Sequence, residues 1–374
     1  MNIAYFSTKT NTNLVINQVI RLIKEIHDFG INITLYSFED DGEDYSVVHK
    51  FLHDNGLPFH SIRNQGQVNT LKEVHGLIKQ DNIHIIHCRS YDMTILAAAY
   101  FRSCKIIFDV RGLLPYEIFQ IKNNEAELQQ NLAGERKLVD LSDAVVCVTK
   151  GMVDYFIEQY GVIAKDKLFE IPVHYCHYGT VEKRPSPDLQ LGDEYKWITF
   201  AGSLTAYYRL ENIFKLFYQL REKNRKCKLL ILSNQEIDKN DTLAHYNLKA
   251  DAELFEFKSV NTELIPYYLR YSWIGLDPFF SIVQAMNTVR LAVKTVEYIK
   301  YDLPIVAPDY YPVYRELMDE GYPILMFNKN FEIDFSDYEH FIATKPDSSI
   351  KERYDIKNTG RMYIELYRKL MPGR

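Results

Sequence analysis

The chain has 374 residues, of which 47% are apolar and 25% are charged, and its formal net charge is −6. This length suits two ordinary domains, and the composition is typical of a folded globular protein rather than a disordered or fibrous one. The negative charge argues against a nucleic-acid-binding protein, because such proteins normally have a basic surface.

The N-terminal residues and the cysteines predict a cellular compartment. Met1–Phe6 has no basic stretch followed by a long apolar run, so we expect no signal peptide. No apolar run approaches the length that a membrane-spanning helix needs. The five cysteines are scattered, which is typical of reduced thiols. We therefore expect a cytoplasmic protein, with peripheral contact to the cytoplasmic face of the membrane as a secondary expectation.

The first half of the chain predicts a parallel sheet with crossover helices. Short β-rich runs alternate with helical patterns such as Leu14–His27, whose apolar residues recur three or four positions apart. The predicted buried strands are Asn2–Phe6, Ile31–Tyr36, Ile83–His87, Lys105–Val110 and Ala144–Val148.

Charged residues follow two of these strands. Arg89 comes after one strand, and Asp109 and Arg111 come at the end of the next, with Glu117 further along. Ligands of open α/β sheets bind at the carboxyl ends of the strands, so Asp109, Arg111 and Glu117 are candidates to bind a polyhydroxylated acceptor. The alternative is a buried ion pair between Asp109 and Arg111 that only fixes the loop.

A polar segment, Tyr178–Glu194, contains two prolines and two glycines and predicts a linker. A second β/α series follows it, and two successive series indicate two doubly wound domains. We predict an N-terminal domain at 1–178, a second domain at 179–350 and a C-terminal helical segment at 351–374. The predicted strands of the second series are Trp197–Ala201, Lys228–Leu232, Leu254–Lys258, Trp273–Leu276, Pro304–Ala307 and Ile324–Phe327.

A glycine and a cation follow the first strand of the second series. Gly202, with Ser203 beside it, lets the backbone approach a ligand, and Arg209 opens the next helix. This pattern suits a phosphate group. The alternative is an ordinary turn with Arg209 on a solvated face.

Lys294 and Glu297 are three residues apart on a predicted helix, so both face the same side. A cation near a helix N-terminus suits a phosphate, and a carboxylate one turn later can accept hydrogen bonds from both hydroxyls of a ribose. The turn after this helix contains Asp302, a residue that tolerates the left-handed conformation better than most.

These motifs resemble the nucleotide-sugar site of retaining GT-B glycosyltransferases of family 4. That family has Pro-x-Lys-x-x-Glu-Tyr before a strand, and the chain has Lys294-Thr295-Val296-Glu297-Tyr298. Its glycine motif is similar to Gly202-Ser203-Leu204, with Arg209 where a Lys is usual. A bacterial surface-polysaccharide subgroup has His-x-Arg-Ser-Tyr and Phe-Asp-x-Arg-Gly, which are similar to residues 87–91 and 108–112.

The resemblance implies a fold and a set of roles. The fold is α/β, with two Rossmann-like doubly wound domains facing across a cleft and the final helix crossing back to the first domain. Arg209 and Lys294 would offset the charge of the leaving diphosphate, Glu297 would hold the ribose, and the base would lie near Val260. The loop Phe280–Ala292 would lie beside the diphosphate and the donor sugar, with Asn287, Thr288 and Arg290 as its candidates.

The chain departs from the family pattern at several places. Val289 stands where members commonly have a Glu, and Ala292-Val293 stands where the family has Pro-x before the Lys. Asp302 replaces the turn glycine, and Ser203 stands where many members have a second Arg. Arg89 falls near the place of a catalytic-site His. The catalytic candidates that the resemblance implies are Arg89, Asp109, Arg111, Arg209 and Lys294. These differences point to a subfamily rather than to another class.

The resemblance implies metal-independent transfer with retention of configuration, from a nucleotide sugar to a glycan or lipid-linked oligosaccharide. No Asp-x-Asp follows a strand, and His174, Cys176 and His177 match no zinc spacing, so we expect neither a metal nor another cofactor. Two alternatives stay open: a nucleotide-sugar epimerase of the same architecture, and a non-catalytic family member that binds glycan or serves as a scaffold.

Overall fold

The computed structural model describes residues 1–63, 65–177, 195–205 and 207–372. The predicted linker Tyr178–Glu194 lies outside the described residues. The chain forms two compact units: unit 1 is Met1–Cys176, Val283–Arg290 and Asp355–Arg374, and unit 2 is His177–Ile282 and Leu291–Tyr354. Residues 283–290 fall within the range predicted for the second domain, and in the structure they pack with unit 1.

Unit 1 contains a seven-stranded parallel sheet in the order β3-β2-β1-β4-β5-β6-β7. The central strands are buried at most positions, which fits a parallel sheet covered on both faces. The strands are β1 Asn2–Thr8, β2 Asn32–Glu39, β3 Phe59–Arg63, β4 Ile85–Arg89, β5 Lys105–Asp109, β6 Ala144–Cys147 and β7 Leu168–Glu170.

Unit 2 contains a six-stranded parallel sheet in the order β10-β9-β8-β11-β12-β13. The strands are β8 Lys196–Ala201, β9 Cys227–Ser233, β10 Phe255–Ser259, β11 Ser272–Leu276, β12 Ile305–Pro308 and β13 Ile324–Phe327. The prediction of two doubly wound parallel sheets is confirmed. It misses β3 and β7, which lie at the two edges of the first sheet, because neither has the apolar run of a central strand.

Helices connect the strands of both sheets. Those of the first 160 residues are α1 Asn13–Val15, a π-helix at Ile16–Ile20, α2 Arg21–Asp28, α3 Ser46–Asp54, α4 Gln67–Gln80, α5 Ser90–Tyr100, α6 Leu114–Lys122, α7 Glu125–Leu141 and α8 Lys150–Tyr160. The later α-helices are α9 Leu210–Lys223, α10 Lys239–His245, α11 Ile265–Leu269, α12 Gln284–Thr288, α13 Val293–Lys300, α14 Pro312–Asp319, α15 Tyr338–Ala343, α16 Ser348–Arg353 and α17 Ile356–Leu370. Short 3-10 turns lie at Val162–Lys167, Lys249–Leu254 and Thr262–Leu264.

The first predicted helix of unit 1 is interrupted by the π-helix. Its wider turn buries Asn17 and Gln18, and Gln18 Nε2 donates to His174 O over 2.8 Å. His174 Nε2 lies 3.3 Å from Asn17 O. The apolar periodicity predicts the helix but contains no signal for these polar contacts with a distant residue.

The order of strands locates the ligand edges of the two sheets. In unit 1 the strands after β1 are added on one side of it up to β3 and on its other side from β4 onward, so the strand order reverses between β1 and β4. In unit 2 the strand order reverses in the same way between β8 and β11. Open α/β sheets bind ligands at the carboxyl ends of the strands beside such a reversal. Among the described residues, no helix combines the length and the apolar character needed to cross a membrane.

Candidate functional site

The glycine turn of unit 2 and helix α13 meet at the carboxyl end of β8. Lys294 places its Nζ 3.0 Å from the position that a Cβ of Gly202 would occupy. Gly202 has φ +153°, which L side chains rarely adopt. The same Nζ lies 3.3 Å from the ring centroid of Tyr208 and 4.0 Å from that of Phe200. Because aromatic faces attract cations, the ammonium group is held beside the glycine turn.

The tyrosine of the motif, Tyr298, fixes α13 to the sheet. Its side chain is fully buried, and its hydroxyl accepts a hydrogen bond from Ala201 N over 2.9 Å. The hydroxyl also donates to Leu276 O over 3.2 Å. Gly275 leaves room for the ring, because a Cβ there would lie 2.5 Å from the ring atom Cδ2. The helix that carries Lys294 is therefore attached to the ends of both β8 and β11.

Glu297 and Val260 are both buried in unit 2. Glu297 is 8% exposed and lies one turn after Lys294 on α13. Val260 is 7% exposed, and its N–H donates to Ser233 O over 2.8 Å at the end of β9. Glu297 is a buried carboxylate that requires polar partners, whereas Val260 offers backbone groups and an apolar surface.

Ser203 and Arg209 are exposed residues of the same unit. Ser203 Oγ donates to Asn234 Oδ1 over 3.1 Å. Arg209 is the N-cap residue of α9, its side chain is 61% exposed, and its Nη1 lies 3.7 Å from Glu211 Oε1. An ion pair this exposed contributes little stability, so the guanidinium can turn toward an anionic ligand.

A buried acidic residue that the sequence did not single out follows β11. Asp277 is 1% exposed, and its Oδ2 accepts hydrogen bonds from Tyr314 OH and from Thr295 Oγ1, the latter over 3.2 Å. Asp277 therefore ties the end of β11 to α13 and α14. A single acidic residue after a strand has no motif around it that would predict this role.

In unit 1, Asp109 and Arg111 form a buried ion pair at the end of β5. Arg111 Nη2 and Nε donate to Asp109 Oδ2 over 2.7 and 2.9 Å, and Tyr5 OH donates to the same oxygen over 3.3 Å. Burial alone would raise the pKa of the Asp109 carboxyl, but Arg111 holds it well below its ordinary value. Asp109 is fully buried, so its carboxylate makes its contacts within unit 1.

His87 and two tyrosines of α17 complete this network. His87 Nδ1 lies 2.7 Å from Tyr367 OH, and Arg111 Nη2 donates to Tyr363 OH over 3.0 Å. The two tyrosines are four residues apart and therefore share one face of α17. Burial lowers the pKa of His87 although the Asp109 carboxylate acts in the opposite direction, so the imidazole is neutral at pH 7.

Arg89 lies at the end of β4, directly opposite Asp109 in the register of the sheet. Burial lowers the pKa of Arg89, and repulsion from Arg111 lowers it further. The guanidinium still carries its full charge at pH 7, because arginine titrates far above this pH. Two cations therefore lie close together in unit 1.

Glu117, on α6, is a further acidic group of unit 1. Burial raises the pKa of its carboxyl, and Arg290 opposes this effect in part. Its carboxylate packs against Gly112 so closely that a Cβ there would collide with it. Arg290 therefore lies close enough to Glu117, within unit 1, to influence the pKa of its carboxyl.

The segment that contains Asn287 and Thr288 is attached to α8. Thr149 Oγ1 donates to Val289 O over 2.9 Å, and the carbonyl of Thr288 packs directly on Gly151. All three predicted donor-site residues of this segment, Asn287, Thr288 and Arg290, are thus grouped with unit 1, whereas Gly202, Lys294 and the rest of that set are in unit 2. Within the described ranges, no three His, Cys, Asp or Glu side chains form a group that could hold a metal ion.

Comparisons with known proteins identify a family and a fold to which the chain is similar. Residues 15–172 match the model of the family described as Glycosyltransferase Family 4. HepE of Anabaena, in complex with UDP, has a TM-score of 0.71 at 13% identity over 99% of this chain and 100% of that chain. Sucrose-phosphate synthase from Thermosynechococcus elongatus has a TM-score of 0.70 at 12% identity, and all of both chains is covered. A glycosyltransferase from Rickettsia africae has a TM-score of 0.68 at 14% identity, over 100% of this chain and 99% of that chain.

No curated protein is similar enough in sequence to match the chain. The low identity to the solved structures means that this likeness shows the fold alone. Together with the family-model match, it confirms the resemblance to family 4 and the GT-B fold, and it supports a glycosyltransferase.

Proposed function

We propose that the protein is a retaining glycosyltransferase of cell-surface polysaccharide synthesis. It would move a sugar from a nucleotide-diphosphate donor bound by unit 2 to a glycan or lipid-linked acceptor bound by unit 1. The observation that carries the proposal is the meeting of two motifs in space: Lys294 Nζ lies 3.0 Å from the Cβ position of Gly202. These motifs are more than 90 residues apart in the chain and share the edge where α/β sheets bind ligands.

The roles follow from charge and position. Lys294 and Arg209 offset the negative charge that develops on the diphosphate as its bond to the anomeric carbon breaks. Glu297, one turn along α13, accepts hydrogen bonds from the ribose hydroxyls. The acceptor oxygen attacks on the face that the diphosphate leaves, its proton passes to the diphosphate, and the anomeric configuration is retained.

Two side-chain cations supply the charge compensation in this proposal, so the transfer requires no resident metal. Treatment of the protein with EDTA should leave the transfer rate unchanged. A rate restored only by added Mg²⁺ or Mn²⁺ would contradict this part of the proposal.

The first test is nucleotide binding by the full chain, measured as a shift in the melting temperature. HepE was solved with UDP and with UDP-glucose, so uridine nucleotides are the first probes, followed by adenosine and guanosine nucleotides. Lys294→Met and Glu297→Gln should weaken the shift. Lys226→Met and Glu222→Gln change exposed residues of the same unit and should leave it intact.

The second test is transfer to glycan acceptors, with the anomeric configuration of the product read by NMR. A new glycoside with retained configuration supports the proposal. Release of an epimerised nucleotide sugar without a glycoside would favour an epimerase. The enzyme proposal is ruled out if the wild-type protein binds no nucleotide and if Lys294→Met and Glu297→Gln are indistinguishable from it.

A further inference from the structure

The ends of β4 and β5 in unit 1 carry more positive than negative charge. Arg89 and Arg111 face one carboxylate, Asp109, which acts on both of them. His174 belongs to the same surroundings and adds no charge at pH 7, because burial lowers its pKa to about 3. Two guanidinium groups against one carboxylate, with His87 neutral as well, leave one positive charge in excess. An uncompensated buried charge is strongly destabilising unless a partner offsets it.

Both arginines also keep unused hydrogen-bond donors. Nη1 of Arg89 and Nη1 of Arg111 are buried, and neither has a hydrogen-bond partner among the described residues. A buried donor without a partner destabilises the folded protein, and a charged donor does so more strongly than a neutral one. The missing partner must therefore accept hydrogen bonds and carry negative charge, which is the chemistry of an oxyanion.

The local backbone supports this assignment. Arg89 is the N-cap residue of α5, where the helix dipole favours an anion and disfavours a cation. Ser90, the next residue, has φ +69°, which is uncommon for a residue with a Cβ. Strain of this kind persists where the surrounding structure and the function demand it. The strained turn holds Arg89 opposite Asp109, at the edge of the sheet where ligands bind.

We propose that Arg89 and Arg111 bind an oxyanion group of the acceptor, either a phosphate or a carboxylate. The planar guanidinium fork matches both groups. The acceptor would then be an anionic saccharide, such as a sugar phosphate or a glycan that ends in a uronic acid. This inference rests on the proposed function, because it takes the ligand of unit 1 to be the acceptor.

The test measures the melting temperature of the full chain carrying Lys294→Met, which weakens phosphate binding in unit 2 and is present in every variant compared. The probes are inorganic phosphate, glucose 1-phosphate, glucuronate and neutral glucose, all at one ionic strength. The three anions should raise the melting temperature and glucose should not. Adding Arg89→Met should weaken the apparent affinity for the anions about tenfold or more.

The control is Arg102→Met, which removes an exposed arginine of the same unit and should keep the full anion response. Arg111→Met is unsuitable because it leaves Asp109 buried without its partner, which is itself strongly destabilising. An equal anion response with and without Arg89→Met would overturn the proposal. A response to inorganic phosphate alone, with none to the sugar-linked anions, would overturn the assignment to the acceptor.

A crystal soaked in selenate gives an independent readout. We expect an anomalous peak within hydrogen-bond distance of the Arg89 and Arg111 side chains, and a peak missing there would contradict the proposal. Neither measurement requires a donor or a transfer reaction. Failure of the glycosyltransferase proposal would appear separately, as a wild-type protein that does not respond to nucleotides.

Discussion

Lys294 depends on its neighbours for its position. Its ammonium group lies over the faces of Tyr208 and Phe200 and next to the turn at Gly202. The two rings pack against each other with centroids 5.4 Å apart, and Tyr208 is 8% exposed. A long, flexible lysine side chain would otherwise lose rotamer freedom when it bound a phosphate. The aromatic rings therefore prepare Lys294 for the role proposed above.

Replacing Tyr208 tests this preparation. Tyr208→Leu removes the aromatic face and should weaken UDP binding about 2- to 30-fold, the range expected for a cation–π contact. Tyr208→Phe keeps the ring and should retain more of the affinity. Isothermal titration calorimetry with UDP measures both variants, and equal affinities for the two would show that the ring is not what positions the lysine.

The sequence predicts the residues that carry charge next to a strand, but not the residues that position them. Lys294 and Gly202 could be found because each lies within a few residues of a strand in a local motif. Tyr363, in contrast, contacts Arg111 across 252 residues of chain, and no local pattern marks this pairing. The position of Asp302 in place of a turn glycine indicates a left-handed backbone conformation, and its φ of +56° agrees.

At the scale of elements, the side chain of Tyr298 attaches α13 to the ends of two strands of the sheet. The Tyr298 hydroxyl bonds to Ala201 N and Leu276 O, and its ring fills the space left by Gly275. The element pattern of the fold was predictable because central parallel strands form continuous apolar runs. The π-helix at Ile16–Ile20 was not predictable from the sequence. Its wider turn serves polar contacts with a residue far away in the chain, and no local pattern indicates them.

Removing the Tyr298 hydroxyl should destabilise unit 2. Tyr298→Phe leaves the buried Ala201 N–H without a partner, and we expect a loss of about 1–3 kcal/mol in the free energy of unfolding. Urea denaturation measures this loss. Tyr271→Phe, at a residue that is 47% exposed, is the matched control and should change the free energy by less than about 0.5 kcal/mol.

A second element-scale prediction concerns the attachment of residues 283–290 to α8. In Gly151→Ala the new Cβ would collide with the Thr288 carbonyl, so either α8 or the segment must move. We expect a lower melting temperature and faster proteolytic cleavage within 283–290.

Gly134→Ala supplies the control for this prediction. Gly134 lies within α7, and a Cβ there meets nothing within 4 Å. The substitution should therefore be neutral or should stabilise the helix by up to about 1 kcal/mol. Equal behaviour of the two variants would contradict the contact between α8 and the segment.

At the scale of the whole molecule, buried histidines make stability depend on pH. His174 is fully buried, and burial lowers its pKa from 6.5 to about 3. Below about pH 6.5 the unfolded chain binds a proton that the folded chain binds only near pH 3, so stability falls as the pH falls through this range.

The expected loss is about 1.4 kcal/mol for each pH unit below about 6.5. His174→Asn removes this contribution. Between about pH 7.5 and 5.5, wild type should therefore lose about 1.4 kcal/mol more than the variant in urea denaturation. His87 titrates in both proteins and cancels in the difference, and parallel pH profiles for the two would contradict the prediction.

Unit 1 is assembled from three separate stretches of chain: Met1–Cys176, Val283–Arg290 and Asp355–Arg374. A fragment that stopped at residue 176 would lack the phenol that bonds to Arg111 and the carbonyl that bonds to Thr149. The unit therefore cannot be inherited, exchanged between proteins or expressed as one contiguous module. A recombination event that moved its ligand specificity to another chain would have to carry all three stretches together.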